Sequence, residues 1–174
     1  KARKVLCDLP TRNVVSWSSL ISGYVQHGQG HEALNCFEQM LSEGLSPNVV
    51  TLTCILKACG SVGAIEKGKN IHDNILNKGL LQNNIVLGNA LVDMYANNGA
   101  LSEAKMVFNR IQGKDVVSWN TLITGYVENG FCEEALNFVE HMQMEGFIPD
   151  VVTYLSSLRA CSKMGNWDKV QGDC

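Results

Sequence analysis

Val14-Val15-Ser16-Trp17-Ser18-Ser19-Leu20-Ile21-Ser22-Gly23-Tyr24-Val25 returns 102 residues later as Val116-Val117-Ser118-Trp119-Asn120-Thr121-Leu122-Ile123-Thr124-Gly125-Tyr126-Val127. The copy extends outward: Glu32-Ala33-Leu34-Asn35 recurs as Glu134-Ala135-Leu136-Asn137, and Pro47 as Pro149. Self-similarity at a fixed spacing marks stacked repeats, in which each unit is too small to bury its own apolar face and relies on its neighbours.

Trp17, Leu20, Ile21, Tyr24 and Val25 fall at the i, i+3, i+4, i+7, i+8 spacing of one helix face, with Ser16 as a natural N-cap and Gly28 and Gly30 as the stop. A second stripe, Ala33, Leu34, Phe37, Met40 and Leu41, predicts another amphipathic helix, ended by Gly44 and Pro47. Residues 14–48 therefore form a helical hairpin. The same plan repeats over 49–84, 85–115 and 116–150, with lengths of 36, 31 and 35 residues, so that a triplet of unequal units makes the long period. Residues 1–13 align with the tail of a unit and 151–174 with the opening of another, so both ends cut a unit in the middle. No strand alternation competes. The pattern predicts an all-α architecture, a right-handed superhelical solenoid of helix-turn-helix repeats.

Composition narrows the function. Apolar residues make up 45% of the chain, enough for a substantial core, while the longest apolar runs are far too short for a membrane span. No signal-peptide pattern opens the chain. Seven cysteines without a CxxC pair fit neither a zinc knuckle nor a closed disulfide framework, which points to a reducing compartment. The net charge of −3 lacks the Lys/Arg excess of proteins that hold nucleic acid by its phosphates. An RNA ligand would have to be held by stacking, base-edge hydrogen bonds and local positive potential.

Catalytic signatures are missing. A zinc deaminase needs H-x-E followed by P-C-x-x-C, and neither occurs. His27 and His31 have helical metal-ligand spacing, but Gly28 and Gly30 between them mark a turn; His72 and His141 lack matching ligands. Cys59 and Cys161 stand at equivalent places beside Ala58 and Ala160, which suits small core residues rather than nucleophiles. No phosphate-binding loop occurs, since no Lys-Ser/Thr follows Gly28 and Gly30. Trp17, Trp119, Tyr24, Tyr95 and Tyr126 lie on the apolar stripes and are expected in the core, and Trp167 replaces Ile65 of the equivalent unit. The expectation is a protein that is not an enzyme and has no cofactor, metal, membrane or small-molecule substrate.

Trp17-Ser18-Ser19-Leu20-Ile21-Ser22-Gly23-Tyr24 resembles the P unit of the PLS subclass of pentatricopeptide repeat proteins. Leu56-Lys57-Ala58-Cys59 through Gly68-Lys69-Asn70-Ile71-His72 is similar to its L unit, and Gly88-Asn89-Ala90-Leu91-Val92-Asp93-Met94-Tyr95 to its S unit. The resemblance covers essentially the whole chain and reads as an S tail over 1–13, then P over 14–48, L over 49–84, S over 85–115, P over 116–150 and a truncated L over 151–174. Tetratricopeptide repeats share the architecture, but their uniform length and W-x₂-L-G-x₂-Y signature are absent.

The resemblance implies a plant organellar protein, of mitochondrion or chloroplast, that reads single-stranded RNA one unit per base as the specificity module of a C-to-U editing factor. A deaminase and an editing helper protein would act in trans. It also implies that a polar residue in the first turn of each unit selects the base together with the unit's last residue, while an aliphatic residue packs on the base. The base-selecting pairs are then Ser18 with Asn48, Thr53 with Asn84, Asn89 with Asp115, and Asn120 with Asp150; the packing residues are Val15, Val50, Val86 and Val117. By the family's pattern these read adenine, an unspecified base, uracil and uracil, with the N-terminal unit toward the RNA 5′ end. Leu155 replaces the polar reader in the last unit, and Gln26, Asn97 and Glu128 stand where the family often has a phosphate-meeting Lys. The same polar residues at helix starts are also caps and turn formers, and the aspartates can serve both ends. The alternative expectation is a protein-interaction scaffold or a structural subunit of an organellar ribonucleoprotein assembly.

Overall fold

The computed structural model describes residues 12–82 and 84–165. The readings of Cys7, Trp167 and Cys174 lie outside them. Among the described residues every regular element is a helix: α1 (Val14–Gln26), α2 (Gly30–Ser42), α3 (Val49–Val62), α4 (Ile65–Asn77), α5 (Ile85–Asn97), α6 (Leu101–Arg110), α7 (Val116–Glu128), α8 (Cys132–Met144) and α9 (Val151–Met164). The chain divides into two compact units, one ending at Leu81 and one beginning at Gln82.

In the first unit α1 packs on α2 and α3, α2 also packs on α3, and α4 packs on α3. The core is the predicted stripe: Trp17, Ile21, Ala33, Phe37 and Met40 are buried, joined by Leu52, Ile55, Leu56 and Cys59 from α3 and Ile71 and Ile75 from α4. Burial pushes the Cys59 thiol up to about 11, with Lys67 pulling the other way, so it is protonated at neutral pH and inert as a nucleophile. Trp17 donates its indole N–H to Glu43 at 2.9 Å, and Glu43 also pairs with Arg12 at 3.0 Å, which satisfies the polar end of a buried ring.

In the second unit the first helices of successive hairpins lie side by side, α5 on α7 and α7 on α9, while α6 and α8 pack against them as the second helices. Gly125 makes the α5–α7 approach possible, because a Cβ there would fall 2.5 Å from Ala96 Cβ. Trp119 is buried like Trp17, but packs edge-on to Phe108 at 4.8 Å and its indole N–H has no hydrogen-bond partner.

The helices start differently from the sequence expectation. Asn13, not Ser16, is the N-cap of α1: its side chain accepts from the Ser16 N–H, and Ser16 closes a capping box from the N3 position. Asp115 and Asp150 form the same capping box on α7 and α9, while Asn48 and Asn84 cap α3 and α5 by accepting the N3 backbone N–H alone. The second helices α2, α4, α6 and α8 have no side-chain cap and instead place Glu32, Glu66, Glu103 and Glu133 with Glu134 in their first turns, where a negative charge complements the helix dipole. Gly28 does stop α1, with a left-handed φ of 69°, but Gly30 opens α2, where a Cβ would strike Val62 at 2.5 Å. Leu41 is exposed rather than buried, and Tyr24 is half-buried while Tyr95 and Tyr126 are in the core. His27 is the exposed C-cap of α1 and His31 lies exposed in α2. No helix of the described residues is long and apolar enough to cross a membrane.

Candidate nucleic-acid interface

Within each unit the first helices of successive hairpins lie side by side, and a groove opens between a pair of them. In the first unit a groove of about 440 Å³ runs between α1 and α3, lined by Val15, Ser18, Ser22, Gln26, Asn48 and Val50. In the second, a groove of about 310 Å³ is lined by Val117, Asn120, Thr124, Glu128, Asp150 and Val152, with Asp93 and Asn97 of α5 on its wall.

The valines are out of place energetically. Val15, Val50, Val86 and Val117 are 69%, 57%, 61% and 58% exposed, although each sits in the first turn of a helix whose other apolar side chains are buried or half-buried. Burying such a side chain fully is favourable by about 1.5–3 kcal/mol, so an apolar residue left in water at the same place in four successive first helices marks a surface suited to a flat apolar ligand.

Beside two of these valines the polar pairs are joined. Asn120 donates from Nδ2 to Asp150 Oδ1 at 2.8 Å, and Asn120 Oδ1 accepts from Thr153 Oγ1 at 2.6 Å. Asp150 Oδ1 also accepts the backbone N–H groups of Val152 and Thr153 at 2.9 and 3.0 Å. All of these bonds to Asp150 fall on Oδ1, which leaves Oδ2 of this exposed, groove-lining residue as an acceptor outside them. In the first unit Ser18 Oγ meets Thr51 Oγ1 at 2.6 Å, and Asn48 Oδ1 accepts from Thr51 N–H and Thr51 Oγ1, both at 2.9 Å. Two donors converge on the Asn48 oxygen, so the amide's N–H₂ takes no part in this cluster. The two grooves are thus lined by different unused groups, the N–H₂ of Asn48 in one and Oδ2 of Asp150 in the other.

The other two pairs are not joined in this way. Asn89 Oδ1 is buried without a hydrogen-bond partner, and Asp115 spends Oδ1 on Ser118 N–H and Ser118 Oγ at 2.8 and 3.0 Å. Thr53 bonds back to Val49 O of its own helix at 2.8 Å, and Asn84 accepts Leu87 N–H at 3.1 Å. Leu155 is exposed. Sequence reasoning missed Thr51 and Thr153; their recurrence 102 residues apart at equivalent places was the available signal.

The Thr153 N–H holds the Asp150 carboxyl below its ordinary value of 3.8; partial burial opposes this, and the Asn120 amide, the Thr153 hydroxyl and the Val152 N–H reinforce it. A folded-state value below the unfolded one means that the ionised cap stabilises α9 fully above 3.8 and that this contribution is lost as pH falls through the lower folded value. Thermal unfolding followed by circular dichroism should show the Asp150→Asn variant losing less stability than the parent between about pH 6 and about pH 3. An equal loss in both proteins would contradict the linkage.

Capped first helices paired with second helices in successive hairpins, with exposed valines and polar side chains in the grooves, define a helical-hairpin repeat protein. The sequence profile of the PPR repeat family matches residues 12–61 and 114–163, and that of the PPR repeat matches 89–116. The chain belongs to the PPR, or pentatricopeptide repeat, family. It is 43% identical over 166 residues to the pentatricopeptide repeat-containing protein CRR2, chloroplastic, of Arabidopsis thaliana, covering 94% of this chain and 25% of that one. A second Arabidopsis pentatricopeptide repeat-containing protein is 40% identical over 164 residues, 94% of this chain and 21% of that one. The chain therefore spans about a quarter or less of the length of these relatives. Among solved structures it is similar to PPR10 in complex with an 18-nt psaJ RNA element, with a TM-score of 0.81 at 19% identity over 98% of this chain and 26% of that one. The proteinaceous RNase P 2 of A. thaliana is similar at a TM-score of 0.64 and 15% identity, over 91% of this chain and 37% of that one. These likenesses show the fold, that of an α-helical repeat solenoid.

Proposed function

We propose that the chain reads single-stranded RNA, one nucleotide per repeat, as a PLS-type specificity module of an organellar C-to-U editing factor. The observation that carries this reading is the coincidence, in both compact units, of exposed valines with a polar pair in one groove, bonded directly between Asn120 and Asp150 and bridged by Thr51 between Ser18 and Asn48. A base placed between Val117 and Val152, or between Val15 and Val50, covers apolar surface on both faces and offers its pairing edge to the polar residues.

The edges select the base. Uracil carries an N3–H donor flanked by carbonyl acceptors, which suits the Asp150 carboxylate and the second Asn120 N–H; cytosine has an acceptor at N3 and is repelled. Adenine has an N1 acceptor beside its amino group, which suits the unused Asn48 N–H and Ser18 Oγ. The chain then reads adenine, an unspecified base, uracil and uracil. That a relative is a chloroplastic protein and that PPR10 is held with RNA agree with this reading. The deaminase and any editing helper protein are assigned to other chains or to other parts of a longer protein.

The acidic groove favours one competing reading, a scaffold for a basic protein segment: Asp93, Glu128 and Asp150 line it without a Lys or Arg. Titration of short single-stranded RNAs carrying adenine and uracil at the assigned places, at two salt concentrations, separates the two. RNA reading by bases rather than phosphates predicts a shallow salt dependence, about fivefold or less in affinity per tenfold change in salt, as expected when at most about one phosphate is neutralised. A scaffold binds no RNA with base preference, and equal affinity for all sequences would reject the reading.

A further inference from the structure

Thr51 and Thr153 are fully buried side chains, each the third residue of a first helix, and each touches both members of the pair that precedes it in the row. Their bonding leaves little choice of proton position. Thr153 Oγ1 accepts the Asp150 N–H at 3.1 Å, so its single proton goes outward to one acceptor, and Asn120 Oδ1 at 2.6 Å is nearer than Asp150 Oδ1 at 3.1 Å. A side-chain amide can turn over and exchange its N–H₂ for its oxygen at almost no cost in shape. With Oδ1 held by the Thr153 hydroxyl and one Nδ2 hydrogen held by Asp150, the largely buried, groove-lining Asn120 is fixed in one amide orientation with a single N–H left over. In the first unit Thr51 performs the matching task, donating to the Asn48 oxygen and meeting Ser18 Oγ, which also lies 2.7 Å from the Val14 carbonyl, so that the Asn48 oxygen is held and its N–H₂ is left over.

The third pair is a natural control. Asn89 and Asp115 are the same residue types as Asn120 and Asp150, but the equivalent of Thr153 is Ser118. Ser118 bonds only within the cap of α7, to Asp115, and Asn89 Oδ1 is left without a partner. Its amide is not oriented.

From this contrast we propose that Thr51 and Thr153 are specificity-setting positioning residues, each supplying from the following repeat the hydroxyl that fixes which atoms of a reading pair face the base. The inference rests on the base-reading function above. It predicts that identical Asn–Asp pairs discriminate unequally, with Asn120–Asp150 favouring uracil more sharply than Asn89–Asp115.

Two measurements on the chain test it. Without RNA, the Asn120 side-chain amide should give two well-separated, exchange-protected proton resonances that collapse in Thr153→Val and return in Thr153→Ser; the amide of Asn89 should show no such protection. With short RNAs differing at one base, Thr153→Val should reduce the uracil-over-adenine affinity ratio several-fold toward one and Thr153→Ser should restore most of it. Should the valine variant fold poorly, Thr51→Ser against Thr51→Ala, read at the adenine position, is the equivalent pair. An unprotected Asn120 amide in the parent chain, an unchanged base ratio in Thr153→Val, or equal discrimination by the two Asn–Asp pairs would each overturn the inference. A parent chain with protected Asn120 but no base preference would instead overturn the base-reading function, and with it the claim of specificity.

Discussion

Exchanging Asn120→Ser together with Asp150→Asn should move the base preference of that repeat from uracil to adenine. The two changes rebuild the chemistry of Ser18 and Asn48 on a site whose third member, Thr153, matches Thr51. Folding should survive, because Asn48 already caps the equivalent helix α3 through the Thr51 N–H at 2.9 Å, and Asn and Asp are comparable N-caps. The exchange removes the carboxylate that accepts N3–H and supplies an unused N–H₂ in its place. One well-made pair of base-edge hydrogen bonds discriminates by about 1–3 kcal/mol, and each 1.4 kcal/mol is about tenfold in affinity. The uracil-to-adenine ratio should therefore reverse, with a total swing of about a hundredfold, while the preference at Ser18 and Asn48 stays where it was. Competition binding with RNAs that differ only at the tested nucleotide measures this. A uniform loss of affinity for every base would mean that the pair is structural and the scaffold reading is the better one.

The second large effect concerns packing, and it separates two glycines that occupy equivalent positions in the repeat. Gly125 faces Ala96, whose Cβ cannot move aside, so a methyl group there would sit at 2.5 Å and force α5 and α7 apart. Gly125→Ala should destabilise the chain by about 1–3 kcal/mol, even though alanine is preferred over glycine inside a helix by about 1 kcal/mol. At Gly23 an added Cβ meets nothing within 4 Å, and Gly23→Ala should stabilise by about 0.5–1 kcal/mol. Denaturant unfolding of both variants should give shifts of opposite sign. If both are stabilised, the close contact of α5 with α7 is wrong.

The apolar stripes made the fold legible because a helix that buries one face must repeat its apolar residues at three- and four-residue spacing, and Trp17, Ile21, Ala33, Phe37 and Met40 obey that rule. Helix starts were less legible. Serine is as good a cap as asparagine, so Ser16 looked like the N-cap, and only the reciprocal bonds between Asn13 and Ser16 reveal that the helix begins earlier. Gly30 is ambiguous in sequence for a related reason: a glycine can mark a turn or a tight approach, and only the nearness of Val62 shows which. At the candidate site, the polar pairs and valines could be named from their spacing, but their connectivity could not. Asn89 and Asn120 are indistinguishable in type and position, and they differ because the Thr153 hydroxyl bonds Asn120 whereas the Ser118 hydroxyl bonds only Asp115. That difference depends on where a single hydroxyl lies.

Methyl-resolved NMR during titration with a short single-stranded RNA bears most directly on whether bases lie in the valine-lined grooves. The account predicts that the methyl groups of Val15, Val50, Val117 and Val152 shift together and saturate at one RNA concentration, while buried methyl groups such as those of Ile75 and Leu91 stay in place. Shifts confined to residues of α6 and α8, on the second-helix side, or no shifts at concentrations where RNA is bound, would contradict it.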